Sequence, residues 1–333
     1  MSWVILGHEW AVEMLRQQLA RGMLRHAYLF SGPAGVGRRT LALRFAQAIN
    51  CPQPAQPGQS CGTCRACRQI EAMQHPDLLV TQSEAAGESL KVSQVRELQR
   101  GLALAPYESA YRVALLLRFE EATAGAQNAL LKTLEEPNPR VVLLLTADEP
   151  ENLLPTVASR CELLRLRPMR LDDLADELAA RQGLEAEKSS LIAHVAGGRP
   201  GYALRLAADE SLLEARGEWL ADFFSLLGAK QRERLAYSEK RAKGKDRADT
   251  RSALRDGLAH WLSLWRDVLL CASQSGAPLT NLDRRDDIQA LADAVGQEQA
   301  ARLVARLEHS FARLATANLQ LMLDNLLLEW PRA

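Results

Sequence analysis

The chain reads as an α/β protein built on a parallel sheet and continued by two helical units, and three observations predict this. Short apolar runs alternate with helical patterns from about residue 10 to residue 165. One of these runs feeds directly into a glycine-rich loop, and no strand-like run follows Pro168. Apolar strands separated by helices call for a sheet covered on both faces, in which ligands sit beyond the carboxyl ends of the strands.

The first strand is read in "HAYLFSG", and the loop after it is "GPAGVGRRT", residues 32 to 40. Gly32, Gly35 and Gly37 fall where a phosphate-binding loop turns tightly and aims backbone N–H groups at phosphate oxygens. At the lysine position of that motif stands Arg38, and at the Ser/Thr position, whose hydroxyl would ligate Mg²⁺, stands Arg39. Thr40 is one residue further along the helix, about 100° around its axis, so it does not stand in for residue 39. These six residues, Gly32, Gly35, Gly37, Arg38, Arg39 and Thr40, form the candidate nucleotide loop in a degenerate state.

After the helix that follows this loop, Cys51, Cys61, Cys64 and Cys67 stand as C-x9-C-x2-C-x2-C. Two-residue gaps let successive thiolates converge on one ion, and four thiolates close a tetrahedral shell. Zinc in a structural role is the leading reading. An iron–sulfur cluster ranks below it because "CGTCRAC" lacks the C-x2-C-x2-C-x3-C-P run.

The next strands are "HPDLLVTQ" and "YRVALLL". An ATPase of the phosphate-loop class ends the second of these with acids that hold Mg²⁺ and orient water. Here Leu117 and Arg118 occupy those places, and Glu120 and Glu121 come late, so the glutamates are expected to point elsewhere. In the helix "QNALLKTLEEP", Ala126, Leu130 and Leu134 share the face toward the sheet, and Pro137 ends it. "RVVLLLTA" and "CELLRLRP" complete the set of strands, and Arg160 precedes the last one within "SRC".

Beyond Pro168, "RLDDLADELAARQ" and "SSLIAHVAGGRPGYALRLAA" are amphipathic at helical spacing. From there to Pro331 the pattern stays helical, with Trp219, Phe223, Phe224 and Leu227, then Leu258, Trp261, Leu262, Trp265 and Leu269, at three- and four-residue steps. That aromatic stripe reads as core packing rather than a base-stacking platform, and Cys271 reads as core. The charge-dense stretch 238–251 reads as a solvated interhelical loop, with a DNA or partner contact as its alternative. The expected divisions are 1–165 for the sheet domain with its cysteine module at about 50–68, 166–207 for a small helical unit, and 208–333 for an all-helical domain.

Basic residues number 41 and acidic residues 41, so no global field draws the chain to nucleic acid or anionic lipid. The start "MSWVILGHEWAVEM" lacks a signal-peptide pattern, and a cytoplasmic location is expected.

The segment "AQNALLKTLEEPNPRVVLLLTADEPENLLPTVASRCELLRLRP", taken with the glycine loop, the four cysteines and "HPDLLV", resembles the clamp-loader branch of the AAA+ proteins. The resemblance covers residues 1 to about 207 closely. It implies an AAA+ domain with a zinc module, a helical lid and a C-terminal collar that assembles a five-subunit ring. It also implies gamma/tau and delta subunits as partners, with a sliding beta clamp and primed DNA reached through the complex. Membership in a DNA polymerase holoenzyme comes with it.

Gamma and tau, the active ATPases of the family, share the cysteine module, "LLKTLEEP" and "SRC". They keep the lysine, the hydroxyl and the strand-end acids from which this chain departs at residues 38, 39, 117 and 118. The resemblance therefore implies a member that does not productively bind ATP, the alternative being an active gamma/tau-like motor subunit. Thr146 and Arg199 match positions that sense the γ-phosphate, and are read as relics or structural. Arg160 matches an arginine finger that acts on a neighbouring subunit's ATP.

Overall fold

The structure is a computed structural model describing residue 3 and residues 5–84, 88–243, 247–314 and 316–331. Its chain divides into two compact units, Met1–Arg170 with Arg199–Tyr202, and Leu171–Gly198 with Ala203–Ala333. The first contains α1 (Glu9–Ala20), β1 (Ala27–Ser31), α2 (Arg38–Asn50), α3 (Arg65–Glu71), β2 (Leu78–Thr81) and α4 (Val92–Leu102). It continues with β3 (Arg112–Leu116), α5 (Ala124–Glu135), β4 (Val141–Ala147), α6 (Pro155–Ala158) and β5 (Glu162–Arg165).

The strands form one sheet in the order β2-β3-β4-β1-β5, and every pairing is parallel. Side chains along a strand alternate between faces. Tyr28, Phe30, Val113, Leu115, Val142 and Leu144 therefore pack with α1 and α2 residues such as Leu15, Leu41 and Phe45. Ala27, Leu29, Ala114, Leu116, Leu143 and Leu145 pack on the other face with Val95, Leu98, Leu130 and Leu134 of α4 and α5. α5 ends at Glu135, two residues before Pro137, and its Ala126, Leu130 and Leu134 are buried as the periodicity predicts.

The loop joining α4 to β3 is held by a single buried carboxylate. Asp77 accepts backbone N–H groups from Tyr107 (2.6 Å), Glu108 (2.9 Å) and Ser109 (3.0 Å), and Arg112 lies 3.4 Å away. Burial alone would raise its pKa, but these donors outweigh burial and hold it below the ordinary carboxylate value.

The second unit is helical: α7 (Leu171–Gln182), α8 (Ala186–Ala196), the greater part of α9 (Pro200–Ala208), α10 (Glu210–Gly228), α11 (Gln231–Ala242), α12 (Arg247–Ala272), α13 (Arg285–Arg313) and α14 (Leu319–Leu328). Trp219, Phe223, Leu227, Leu258, Trp261 and Trp265 are buried in one core, with Phe224, Leu262, Leu269 and Cys271 packed against it. Gly257 lets α12 approach α10 closely, because a Cβ there would lie 2.3 Å from the Trp219 ring. Among the described residues, no helix is long and apolar enough to cross a membrane.

The expectation of a solvated loop over 238–251 is corrected. Residues 238–242 finish α11 and 247–251 begin α12, while 244–246 lie outside the described residues. Glu, Lys, Arg and Ala are good helix formers, so charge density there did not mean loop. Ser238 is buried against Asp324, and the Arg241 guanidinium lies 4.4 Å from the centre of the Trp219 ring.

Arg234 is the most consequential buried charge of this unit. Its Nε donates to the Leu226 carbonyl (2.9 Å), Nη1 to those of Leu327 (3.0 Å) and Trp330 (2.8 Å), and Nη2 to those of Leu227 (2.9 Å) and Pro331 (2.8 Å). One guanidinium thus satisfies carbonyls at the carboxyl ends of both α10 and α14, where helix dipoles also favour a cation. Replacing Arg234 by Met should orphan those carbonyls and cost about 3 kcal/mol or more. Arg234→Lys should stand closer to Met than to wild type, since an ammonium has fewer donors and no fork. Urea unfolding followed by tryptophan fluorescence checks this, and an unchanged midpoint in both variants would contradict it.

Candidate functional site: a degenerate phosphate loop and a four-cysteine cluster

The glycine loop follows β1 and leads into α2, beyond the carboxyl end of a central strand. Gly32, Gly35 and Gly37 have φ of 145°, 86° and 112°, in the region that favours glycine. Gly32 has a second constraint, because a Cβ there would lie 2.3 Å from the Leu166 carbonyl oxygen. Its N–H reaches the Asp148 carbonyl (2.9 Å) at the end of β4, and the Val36 carbonyl is 2.9 Å from His8 Nε2. The first turn of α9 adds Gly201 N–H to the Gly35 carbonyl (2.8 Å), with Arg199 Nη1 3.5 Å from the Ala34 carbonyl. Arg199, read as a relic of phosphate sensing or as structural, thus stands beside the loop.

Arg38 opens α2 and is only 9% exposed. Its Nη1 lies 2.7 Å from Asp148 Oδ1 and 3.8 Å from Glu120 Oε1. A cation in the first turn of a helix opposes the helix dipole, and the two carboxylates offset that cost. The expectation that Glu120 points elsewhere is therefore corrected. After β3 the chain passes through Arg118 in left-handed conformation (φ 49°) into a short 3-10 turn at Phe119–Glu121, and this turn brings Glu120 back toward the loop. Burial pushes the Glu120 pKa up, the nearby Asp148 adds to this, and Arg38 opposes it.

The remaining loop residues diverge. Arg39 and Thr40 are exposed. Leu117 is buried at the end of β3, its N–H donating to the Thr81 carbonyl (2.9 Å). Arg118 turns to Glu121 (3.0 Å) and Ser83 (2.9 Å), and its backbone N–H donates to the Thr146 hydroxyl (2.9 Å). Thr146 is thereby engaged in a structural hydrogen bond. Asp148, the main partner of Arg38, was not singled out from the sequence. Its signal was an acid just past the "VVLLLTA" strand, which pairs with β1.

The cysteines form a separate cluster. Their four Sγ atoms lie within 4.8 Å of one another, and Cys61 and Cys67 are 3.9 Å apart. Four thiolates at 2.3 Å from a tetrahedral metal would stand roughly 3.8 Å apart, so the donor set fits one metal ion. Backbone N–H groups reach three of the sulfurs: Cys61 to Cys51 (3.3 Å), Cys64 to Cys61 (3.3 Å) and Cys67 to Cys64 (3.4 Å). The N–H groups of Cys64 and Thr63 hold the Cys61 thiol down to about 6, whereas burial pushes Cys51 and Cys67 up.

Arg160 sits between α6 and β5, partly exposed. Its Nη1 donates to the Thr156 carbonyl (2.9 Å), and Nη2 lies 2.8 Å from Glu135 Oε1.

Comparison with known proteins agrees with this layout. The family model "DNA polymerase III, delta subunit" matches residues 7–170, and "DNA polymerase III, delta subunit, C terminal" matches residues 248–332. DNA polymerase III subunit delta' of Pseudomonas aeruginosa is 41% identical over 154 residues, covering 46% of this chain and 47% of that protein. The Bacillus subtilis subunit delta' is 31% identical over 207 residues, covering 62% of this chain and 61% of that protein. The chain thus spans about half to three-fifths of the length of these curated relatives. A DNA polymerase III gamma-subunit-related protein from Thermotoga maritima shares the fold at a TM-score of 0.50 and 18% identity, with 95% of this chain and 97% of that chain covered. The parallel sheet, the two family models and the delta' relatives converge: the chain belongs to the DNA polymerase III delta-prime subunit family.

Proposed function

We propose that this chain is an ATPase-silent subunit of a clamp-loading complex. In this reading it assembles with gamma/tau and delta subunits, helps place a sliding beta clamp on primed DNA, and acts in the cytoplasm. The observation that carries the silence is Arg38, buried at the start of α2 and paired with Asp148 and Glu120. Phosphoryl transfer relies on a metal, a cationic side chain free to follow the phosphates, and an acid that orients water. Here the cation is engaged internally, residue 39 offers no hydroxyl, and β3 ends on apolar residues. Bulky apolar helices in the second unit support a collar role for residues 208–333, and the divisions at 165 and 207 belong to the same proposal.

Arg160 is proposed to act in trans. Its own chain offers no competent site, and its planar guanidinium suits phosphoryl oxygens. We further propose that Cys51, Cys61, Cys64 and Cys67 hold a structural Zn²⁺, which closes the 51–67 module onto the end of α2.

Three experiments test these assignments. Mixed with purified gamma or tau and delta, the chain should form a complex that loads clamp, while alone it hydrolyses ATP no faster than background. Arg160→Ala should assemble normally yet slow hydrolysis at one neighbouring site, where a finger in trans can be worth on the order of 10³. Failure to assemble, or unaltered hydrolysis in an assembled Arg160→Ala complex, would count against the respective claim. Elemental analysis should find one zinc per chain, and Cys64→Ser should lower that content and the thermal midpoint, because structural metal binding is part of the folding free energy. Absence of zinc from the wild-type chain would overturn the metal assignment.

A further inference from the structure

We infer that Glu135 is the positioning residue for Arg160, holding its guanidinium at a fixed place on the domain edge. The inference rests on the reading of Arg160 as a residue that acts in trans, and it names the group that aims it.

The two contacts of Arg160 come from elements that are themselves firmly seated. α5 starts with the Thr123 hydroxyl accepting the Ala126 N–H (3.2 Å), and it is fixed on the sheet by buried Ala126, Gln127, Leu130 and Leu134. Glu135 is its last residue, so the carboxylate projects from the end of an anchored helix. The other contact, the Thr156 carbonyl, belongs to α6, whose Val157 is fully buried. The two elements are tied together by Gln127, whose Oε1 accepts the Leu154 N–H (2.7 Å) and whose Nε2 donates to the Ala122 carbonyl (3.2 Å).

Arg160 is thus gripped at Nη1 and Nη2 from two rigid supports. The grip uses a minority of the guanidinium's five N–H donors and leaves the rest for an incoming phosphoryl group. Side-chain exposure of 35% for Arg160 and 49% for Glu135 makes the pair a poor source of folding stability. What it removes is the rotamer freedom of a long side chain before a partner arrives, and small displacements of such a group are costly to catalysis.

The test uses the reconstituted complex of full-length chains, comparing wild type, Arg160→Ala, Glu135→Ala, Glu135→Gln and the Arg160→Ala/Glu135→Ala double variant. Glu135→Ala should lower kcat of the neighbouring site about fivefold, with KM for ATP, assembly and thermal midpoint unmoved. Glu135→Gln keeps an acceptor oxygen and should stay nearer wild type. The double variant should equal Arg160→Ala alone, because Glu135 has nothing left to aim. If Arg160→Ala slows turnover and Glu135→Ala does not, or if the two defects multiply, the positioning role of Glu135 is overturned while the trans reading stands. A faster Glu135→Ala complex would likewise overturn it, marking the pair as a restraint. If Arg160→Ala itself turns over normally, the trans reading fails and this inference fails with it.

Discussion

A parallel sheet must be covered on both faces, and that constraint orders the first unit. The central strands β1, β3 and β4 are buried along their whole length, so chemistry cannot be carried by their interiors and is pushed into the loops beyond their carboxyl ends. Arg38, Glu120, Thr146 and Asp148 all lie at that end, brought together by the order β3-β4-β1 although up to 110 residues separate them in the chain. The same constraint seats α5 so firmly that its terminal carboxylate becomes a usable fixed point.

On the proposed reading, the loop after β1 keeps the backbone of a phosphate site, with its three glycines at positive φ and α2 leading away from it. What differs is electrostatic. A bound phosphate would place negative charge at the amino end of α2; in this chain the carboxylates of Asp148 and Glu120 come near that end, and Arg38 mediates between them and the helix. The glycines thus serve the fold, keeping β1 and α2 in place and leaving room for the Leu166 carbonyl against Gly32. On the proposed reading, the residues that face outward from this unit carry the contribution to a neighbour's chemistry.

Much of this was legible in the sequence, for physical reasons that also mark where legibility stops. Apolar runs between helical patterns identified the strands, because burial on both faces of β1, β3 and β4 leaves few other residue choices. The cysteines were legible because their spacing is local. Glu120 was misjudged because counting from a strand end assumes an extended chain, and Arg118 breaks that assumption with a left-handed turn. The charged stretch 238–251 was misjudged because composition reports solvation better than conformation. Arg234 and Asp77 gave no signal, since most of their partners are backbone groups: carbonyls at the ends of two helices, one pair 7 and 8 residues away and the others 93 to 97, for Arg234, and N–H groups 30 to 32 residues away for Asp77. Backbone acceptors and donors carry no residue identity for a sequence to display.

The central claim is that internal ion pairing of Arg38 replaces Mg-ATP in this chain. Calorimetric titration of Mg-ATP into the purified full-length protein tests it most directly, with the Arg38→Lys/Arg39→Thr variant beside it. The account predicts no saturable Mg²⁺-dependent binding to the wild type, and no hydrolysis by the variant, whose β3 still ends on Leu116 and is followed by Leu117. Tight, Mg²⁺-dependent binding of ATP to the wild-type chain, accompanied by turnover, would contradict it.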